Sequence, residues 1–263
     1  MESAQSVTLD SSGLVEREDS DVAVLLYTSG TAGAQRAAML THANLASNIK
    51  QVLDDSGLAI TPNDRSLGAL PFFHVFGLNV VLGVTLVAGG TVVLIDPFTA
   101  AEAIHLIRRH SITVVAGVPV MFDALTSAGT ELGDDLGSVR LAVSGAATLS
   151  TKSSTAFTQR YGVTIHEGYG LTEASPIVTS TASGGEARIG SIGPSVPGVE
   201  VRLVGLDGTD VSAGDPGEIW VRGANVFVGY WGDPEATQRV LTDGWLHTGD
   251  VAVADHDGQA RPG

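Results

Sequence analysis

Strand-like apolar runs alternate with helical patterns along the first two thirds of the chain. Short β-branched and apolar runs lie at 22–27, 66–70, 91–95, 113–117, 141–144 and 164–167. Helical spacing of apolar residues predicts helices at 42–55, 76–88, 100–110, 118–128 and 151–162. The alternation is typical of βαβ units, so the pattern predicts a layered α/β core.

The pattern changes at about Gly190, where the sequence becomes rich in Gly, Pro and Val. It predicts strands at 199–205, 217–223 and 247–255 and a short helix at 233–241. We therefore expect three regions: a poorly ordered N-terminus (1–20), an α/β core (21–189) and a smaller β-rich subdomain (190–263).

Charge and composition exclude several classes of protein. The net charge is −15 and only 14 residues are Lys or Arg, which argues against a nucleic-acid-binding surface and leaves a nucleotide only as a small ligand. The chain has no cysteine, which excludes disulfides, thiolate nucleophiles and zinc–thiolate sites. Its first residues lack the features of a signal peptide, and the apolar run at 80–88 is too short to span a bilayer, so a cytoplasmic location is predicted.

The stretch "LLYTSGTAGAQRAAMLTH", residues 25–42, contains a candidate anion-binding loop before helix-like sequence resumes. Two glycines can turn backbone N–H groups toward one point, and three hydroxyl side chains add donors. These residues are Thr28, Ser29, Gly30, Thr31 and Gly33. Arg36 adds a permanent charge suited to phosphate. The loop does not fit the Walker pattern, and an ordinary connecting loop is the alternative.

A second candidate lies in "HEGYGLTEASP", residues 166–176. The predicted strand at 164–167 leads into Glu167-Gly168-Tyr169-Gly170, which places Tyr169 next to flexible glycines where open α/β sheets bind ligands and where an adenine could stack. Thr172 and Glu173 offer hard oxygen ligands for a Mg²⁺ ion that bridges phosphates. Taken alone, a residue such as Glu173 is more often a solvated charge at a helix start, and its pairing with the loop at 28–36 favours the functional interpretation.

Two further residues stand at strand ends. Asp250, in "GWLHTGDVAVADHDG", could accept both hydroxyls of a ribose, or could simply be a turn residue. His74, in "PFFHVFG", lies among aromatic residues, where a buried core histidine is the alternative.

Together these segments resemble the adenylate-forming superfamily of acyl-CoA synthetases, nonribosomal adenylation domains and luciferases. The resemblance rests on "YTSGTAG", "LPFFHVFG", "VSGAATLS", "GYGLTE", "GEIWVRGANVFVGYW" and "DGWLHTGD" and extends from Asp21 to Gly258. It implies a ligase that uses ATP and Mg²⁺ to convert a carboxylic acid into an acyl-adenylate. The acyl group then passes to a thiol, usually that of coenzyme A.

The resemblance also implies roles for single residues. The loop with Arg36 would hold the β- and γ-phosphates, Thr172 the α-phosphate, Glu173 the Mg²⁺ ion and Asp250 the ribose. His74 would act as a gate near the acyl carboxylate. The adenine would be framed by Gly145, Ala146, Ala147, Glu167, Gly168 and Tyr169.

The same resemblance predicts the class of substrate and shows where this chain departs from the family pattern. Amino-acid-activating relatives usually carry Phe-Asp where this chain has Phe73-His74, so a fatty or other amine-free acid is predicted.

The phosphate loop of the family reads T-S-G-T-T-G-x-P-K-G, and here Ala32, Gln35, Arg36 and Ala37 replace Thr, Pro, Lys and Gly. Arg36 keeps the charge in a larger, planar form.

The resemblance implies further segments that this sequence lacks at both ends: an N-terminal region, and a hinge with a small mobile domain bearing a catalytic Lys. From it we expect a shortened chain that turns over weakly, with exposed apolar surface that favours self-association. An amino-acid adenylation domain and a non-catalytic nucleotide-binding remnant are the alternatives.

Overall fold

The computed structural model describes residues 15–28, 35–132, 136–183, 188–254 and 260–262. Its helices are α1 (His42–Asp54), α2 (Thr85–Val87), α3 (Ala100–His110), α4 (Pro119–Leu132), α5 (Thr151–Tyr161) and α6 (Pro234–Val240). Its strands up to residue 180 are β1 (Val22–Thr28), β2 (Arg36–Thr41), β3 (Arg65–Gly68), β4 (Thr91–Leu94), β5 (Val114–Gly117), β6 (Leu141–Ser144), β7 (Ile165–Gly170) and β8 (Ile177–Ser180). The later strands are β9 (Val199–Val204), β10 (Pro216–Gly223), β11 (Gly229–Tyr230), β12 (Leu241–Thr242), β13 (Trp245–Ala254) and β14 (Ala260–Pro262).

The central sheet has six strands in the order β4-β3-β5-β6-β7-β8. The first five are parallel to their neighbours, and only β8 runs antiparallel, against β7. Parallel strands place all their carboxyl ends at one edge of the sheet, where open α/β folds bind ligands. The loops after β6 and β7 therefore start at the same edge.

Two apolar cores lie on opposite faces of this sheet. Alternate residues of a strand point to opposite faces, and Val114 belongs to one core while its neighbour Val115 belongs to the other. On the second face Phe122 of α4 and Phe157 of α5 pack edge to face, with ring centroids 5.3 Å apart. Helices thus cover both faces, which explains why the strands read as continuous apolar runs.

A second sheet of three antiparallel strands, in the order β1-β2-β11, lies beside the first. β2 was not predicted, because Ala, Met and Leu are strong helix formers and the stretch after Arg36 looked helical. Pairing with β1 and complete burial of Ala38 and Leu40 override that local preference. At its end Thr41 caps α1 through a reciprocal pair of hydrogen bonds with Asn44.

The C-terminal strands form a third sheet, antiparallel, in the order β12-β13-β10-β9, with β14 paired to β13. Its core side contributes Ile219 and Leu246 to the same cluster as α1 and β8. The predicted fold class is confirmed: an α/β core built from βαβ units is followed by a β-rich part. The predicted helix at 76–88 is a π-helix over Phe76–Val84 that continues into α2, which corrects its type. Among the described residues, no helix is both long and apolar enough to cross a bilayer.

Candidate active site

Two cavities meet at the carboxyl edge of the central sheet. The larger has a volume of about 790 Å³, and its lining includes Tyr27, Thr28, Arg36, His74, Ala146, Gly170, Thr172, Glu173, Glu218, Tyr230, Gly249 and Asp250. The second, of about 420 Å³, is lined by residues that include Ala146, Ala147, Glu167, Gly168, Tyr169, Gly170, Ile192, Gly249 and Asp250. Because they share Ala146, Gly170 and the Gly249–Asp250 segment, they form one continuous cleft. Its size is that of a small-molecule site.

A narrow apolar pocket of about 60 Å³ opens beside this cleft. Its lining comprises His74, Val75, Phe76, Val143, Ser144, Gly145, Ala146, Gly168, Tyr169, Gly170, Leu171, Thr172, Pro176 and Ile177. Gly145 keeps it open, because a Cβ there would lie 3.2 Å from the ring of Phe76. His74 and Thr172 border both spaces, so they stand where a ligand in the cleft would meet one in the pocket.

Most of the residues predicted from the sequence therefore converge on one region. All of those within the described residues border the cleft or the pocket. Four members of the predicted phosphate loop, Ser29, Gly30, Thr31 and Gly33, lie outside the described residues. Their role stays a prediction.

Ala146 has a left-handed backbone in the loop after β6, with φ of 65°. This conformation is uncommon for a residue with a side chain. Such outliers occur often at ligand sites, where the surrounding structure compensates the strain. The observation agrees with the position of Ala146 at the junction of all three cavities.

Glu167 joins two loops at the wall of the cleft. Its Oε2 accepts the N–H of Leu149 at 3.3 Å, and its Oε1 accepts the N–H of Gly190 at 3.0 Å. A carboxylate offers about four lone-pair sites, so these bonds leave it able to accept a further donor. The predicted contact with adenine stays a prediction, and the structure adds a bridging role.

Tyr169 and Asp250 are joined across the cleft. The hydroxyl of Tyr169 donates to Oδ2 of Asp250 at 2.7 Å. Burial, together with the neighbouring Asp250 carboxylate, raises the pKa of Tyr169 well above its usual range, so the hydroxyl stays a donor at neutral pH. The bond fixes one oxygen of Asp250.

Glu173 is buried in a short 3₁₀ turn, Thr172–Ala174. Its backbone oxygen accepts the N–H of Phe227, and its Oε1 accepts the hydroxyl of Tyr230 at 2.7 Å. Burial and the Glu173 charge raise the pKa of Tyr230 above its usual range. Tyr230 was not predicted as a site residue, although the aromatic "GYW" segment could have indicated it.

Arg36 contacts protein groups rather than standing free in the cleft. Its Nε donates to Oδ2 of Asp233 at 3.2 Å, and its guanidinium lies 5.6 Å from the centroid of the Tyr230 ring. Asp233 also caps α6 by accepting the N–H of Ala236. The backbone bond to Ala236 and the charge of Arg36 lower the pKa of Asp233. The predicted phosphate contact of Arg36 stays a prediction.

His74 is exposed, which makes the core-histidine alternative wrong. Its Nδ1 accepts the N–H of Phe76 at 3.3 Å, so the neutral ring carries its proton on Nε2. This arrangement fixes the ring at the border between pocket and cleft.

The cleft offers few side-chain ligands for a divalent cation. Within the part of the chain that the structure describes, no group of three or more His, Asp or Glu side chains could hold a metal ion. Mg²⁺ commonly uses one or two carboxylates, with phosphate oxygens and water as its other ligands. The single carboxylate of Glu173, which borders the larger cavity, fits an ion that arrives with a polyphosphate.

Comparison with known proteins decides the family. The model of the "AMP-binding enzyme" family matches residues 2–231. The chain belongs to this family. The predicted resemblance is thereby confirmed.

Three similar proteins illustrate the range of relatives that this chain matches. A feruloyl-CoA synthase from Amycolatopsis is 42% identical over 240 residues, 90% of this chain and 48% of the relative. A long-chain-fatty-acid–CoA ligase from Yersinia pestis is 39% identical over 92% of this chain and 44% of the relative. The ATP-bound crystal structure of MatB from Rhodopseudomonas palustris superposes with a TM-score of 0.86 at 36% identity, over 94% of this chain and 49% of that one. The chain thus spans about half the length of the relatives it matches.

Proposed function

We propose that the chain binds ATP in the cleft and supports the activation of a carboxylic acid in an acid–CoA ligase. In the first step a carboxylate oxygen attacks the α-phosphorus, the bond to the β-phosphate oxygen breaks and pyrophosphate leaves. In the second step the sulfur of coenzyme A attacks the acyl carbon, AMP leaves and the thiol gives up its proton. The continuity of cleft and apolar pocket at His74 and Thr172 carries the proposal.

The residues contribute position and charge rather than a nucleophile. Asp250 would accept the ribose hydroxyls, Tyr169 would flank the base, and Thr172 would contact the α-phosphate. Glu173 would ligate Mg²⁺, which neutralises phosphate charge when bound. Preorganised contacts of this kind account for most of the catalysis of phosphoryl-group chemistry.

The acid is proposed to be amine-free with an apolar tail, of the fatty class or a related one. Among the described residues that line the narrow pocket, none is Asp, Glu, Lys or Arg. An amino acid would leave its ammonium without a counter-charge there, at a considerable desolvation cost. The relatives named above include both an aromatic and a fatty acid ligase.

Calorimetry tests the binding step. We expect ATP with Mg²⁺ and AMP to bind, and Asp250→Ala to weaken both by about 1–3 kcal/mol, because charge-assisted hydrogen bonds to ribose are lost. Equal affinities in variant and parent would refute the role of Asp250. Binding of neither nucleotide would refute the proposed function.

A turnover assay tests the chemistry and separates the alternatives. Fatty and aromatic acids are offered with ATP, Mg²⁺ and coenzyme A, and amino acids are offered in a pyrophosphate-exchange assay. Acyl-CoA formation supports the proposal, whereas exchange with amino acids alone would favour the adenylation-domain alternative. Nucleotide binding without either reaction would mark a binding function.

A cytoplasmic location is proposed, and cell fractionation tests it. Self-association is proposed through exposed apolar side chains in and next to the three-stranded sheet, such as Leu25 of β1 and Trp231 after β11, and a concentration-dependent mass in sedimentation would support it.

A further inference from the structure

The segment that carries Asp250 is a bulge in β13. Trp220 of β10 lies opposite His247, whereas Glu218 lies opposite Val251. Between these two pairs, β13 spans four positions and β10 spans only two, so the register of the strands shifts at this point. Bulges of this type redirect side chains and occur often next to active sites.

The backbone of the bulge depends on a left-handed residue. Gly249 has φ of 76° and directly precedes Asp250. Thr248 stabilises the bulge on both sides, because its hydroxyl donates to the backbone oxygen of Ile219 at 2.8 Å and accepts the N–H of Asp250 at 3.1 Å. Asp250 is thereby turned toward the cleft that it borders.

One carboxylate ties this bulge to the neighbouring strand. Oε1 of Glu218 accepts the N–H of Gly249 at 2.8 Å, and Oε2 accepts the indole N–H of Trp220 at 3.0 Å. The Trp220 ring is itself held by stacking on His247, with centroids 3.8 Å apart and planes at 10°. Both oxygens of Glu218 are thus engaged by donors of fixed position.

We propose that Glu218 is a positioning residue for nucleotide binding: it holds the Gly249 bulge so that Asp250 presents its carboxylate to the ribose. The inference rests on the proposed function, because it takes Asp250 as the ribose acceptor. Asp250 is then fixed from two directions, through its backbone by Glu218 and through its side chain by Tyr169. Glu218 also borders the larger cavity, so a direct contact between its remaining lone pairs and the ligand is the competing role.

Glu218→Gln tests the proposal with almost no change in shape. An amide offers one acceptor and one donor group, so either Gly249 or Trp220 must face an N–H₂ group instead of an oxygen. The amide hydrogen of Gly249 should then exchange about tenfold faster in an NMR measurement. ATP should bind about tenfold more weakly, the size expected when one charge-assisted hydrogen bond is lost.

Two comparisons distinguish positioning from a general structural effect. The loss should disappear for 2′,3′-dideoxy-ATP, which lacks the hydroxyls that Asp250 would bind. The double variant Glu218→Gln/Asp250→Ala should bind ATP no more weakly than Asp250→Ala alone, because both changes act through one carboxylate. Glu200→Gln on β9 is the matched control: this exposed carboxylate pairs with Arg222 in the same sheet, and its loss should leave ATP affinity unchanged.

The outcomes separate this inference from the proposed function. Equal weakening of ATP and dideoxy-ATP, or additive losses in the double variant, would overturn the positioning role. Unchanged exchange of the Gly249 amide would overturn it even in a protein that binds no nucleotide. Absence of ATP binding in the parent would refute the proposed function, while faster Gly249 exchange in Glu218→Gln would still support the hold on the bulge. Should Glu218→Gln fail to fold, Trp220→Phe removes one donor from the carboxylate and should cause a smaller loss of the same kind.

Discussion

Asp64→Asn should destabilise the fold. Asp64 lies at the amino ends of the parallel strands, on the edge of the central sheet opposite the cleft. The Asp64 side chain is only 4% exposed. Its Oδ1 accepts hydrogen bonds from Arg140 Nε at 2.8 Å and Thr113 at 2.7 Å, and its Oδ2 accepts from Arg140 Nη2 at 2.6 Å and twice from Thr61. These residues precede β3, β5 and β6, so one carboxylate ties together the amino ends of three neighbouring strands.

The expected loss is about 3 kcal/mol of unfolding free energy. Breaking a buried ion pair costs about 3–5 kcal/mol, and the lower end applies because the Arg140 side chain is 44% exposed and partly screened. The asparagine amide would also turn a donor toward groups that donate. Urea unfolding measures the change. Asp54→Asn, which breaks the exposed pair with Lys50, is the control and should cost no more than about 0.5 kcal/mol.

The pH dependence of stability provides a second measurement. The Arg140 guanidinium holds the pKa of Asp64 well below its usual range. A lowered pKa in the folded state means that the stabilisation is fully present above the unfolded pKa, about 3.9, and is lost as the pH falls toward the folded value. The difference in stability between parent and Asp64→Asn should therefore begin to shrink below about pH 4 and shrink further as the pH falls. A constant difference down to low pH, or a loss below about 1 kcal/mol at neutral pH, would refute the reasoning.

Glu173→Gln should weaken calorimetric binding of ATP with Mg²⁺ while metal-free AMP binds nearly as before, and an equal loss of both would make Glu173 a structural residue. Tyr230→Phe removes the donor that fixes that carboxylate and should weaken ATP with Mg²⁺ by about 1 kcal/mol, again sparing AMP. Gly193→Ala should destabilise by at least about 2 kcal/mol more than Gly190→Ala in urea, because both glycines have positive φ but only at Gly193 would a Cβ lie 2.2 Å from the Ser180 backbone; equal losses would contradict this.

The elements that the sequence predicted well are those whose environment is simple. Strands such as Leu141–Ser144 are buried on both faces, so every position is apolar or small and the run ends where the burial ends. The helices between them carry one apolar stripe each. Where a short stretch has mixed preference, as in β2, its structure depends on partners that local pattern does not contain.

The residues of the candidate site also divide into those that the sequence could predict and those that it could not. Thr172, which follows β7, could be predicted because parallel strands bring their carboxyl ends to one edge. Asp250 was expected at a strand end and instead lies in a bulge within the antiparallel strand β13. Contacts between distant segments could not be predicted from the sequence. Arg36 and Asp233, which form a hydrogen bond, are 197 positions apart. Glu218 stands in a segment that was correctly predicted as a strand, but the bulge that gives it a role belongs to the neighbouring strand.

Arg36 is predicted to contact phosphate, and Glu173 is predicted to ligate Mg²⁺. Contacts within the protein connect these two residues. Asp233 holds Nε of Arg36, the guanidinium lies over Tyr230, and the hydroxyl of Tyr230 donates to Glu173. A lysine in place of Arg36 would have a compact ammonium without the planar face that stacks on an aromatic ring. Arginine here holds Asp233 through Nε while its guanidinium lies over the Tyr230 ring, beside the cleft that Arg36 borders. Arg36 at the start of β2 is therefore connected through Tyr230 to the buried carboxylate of Glu173.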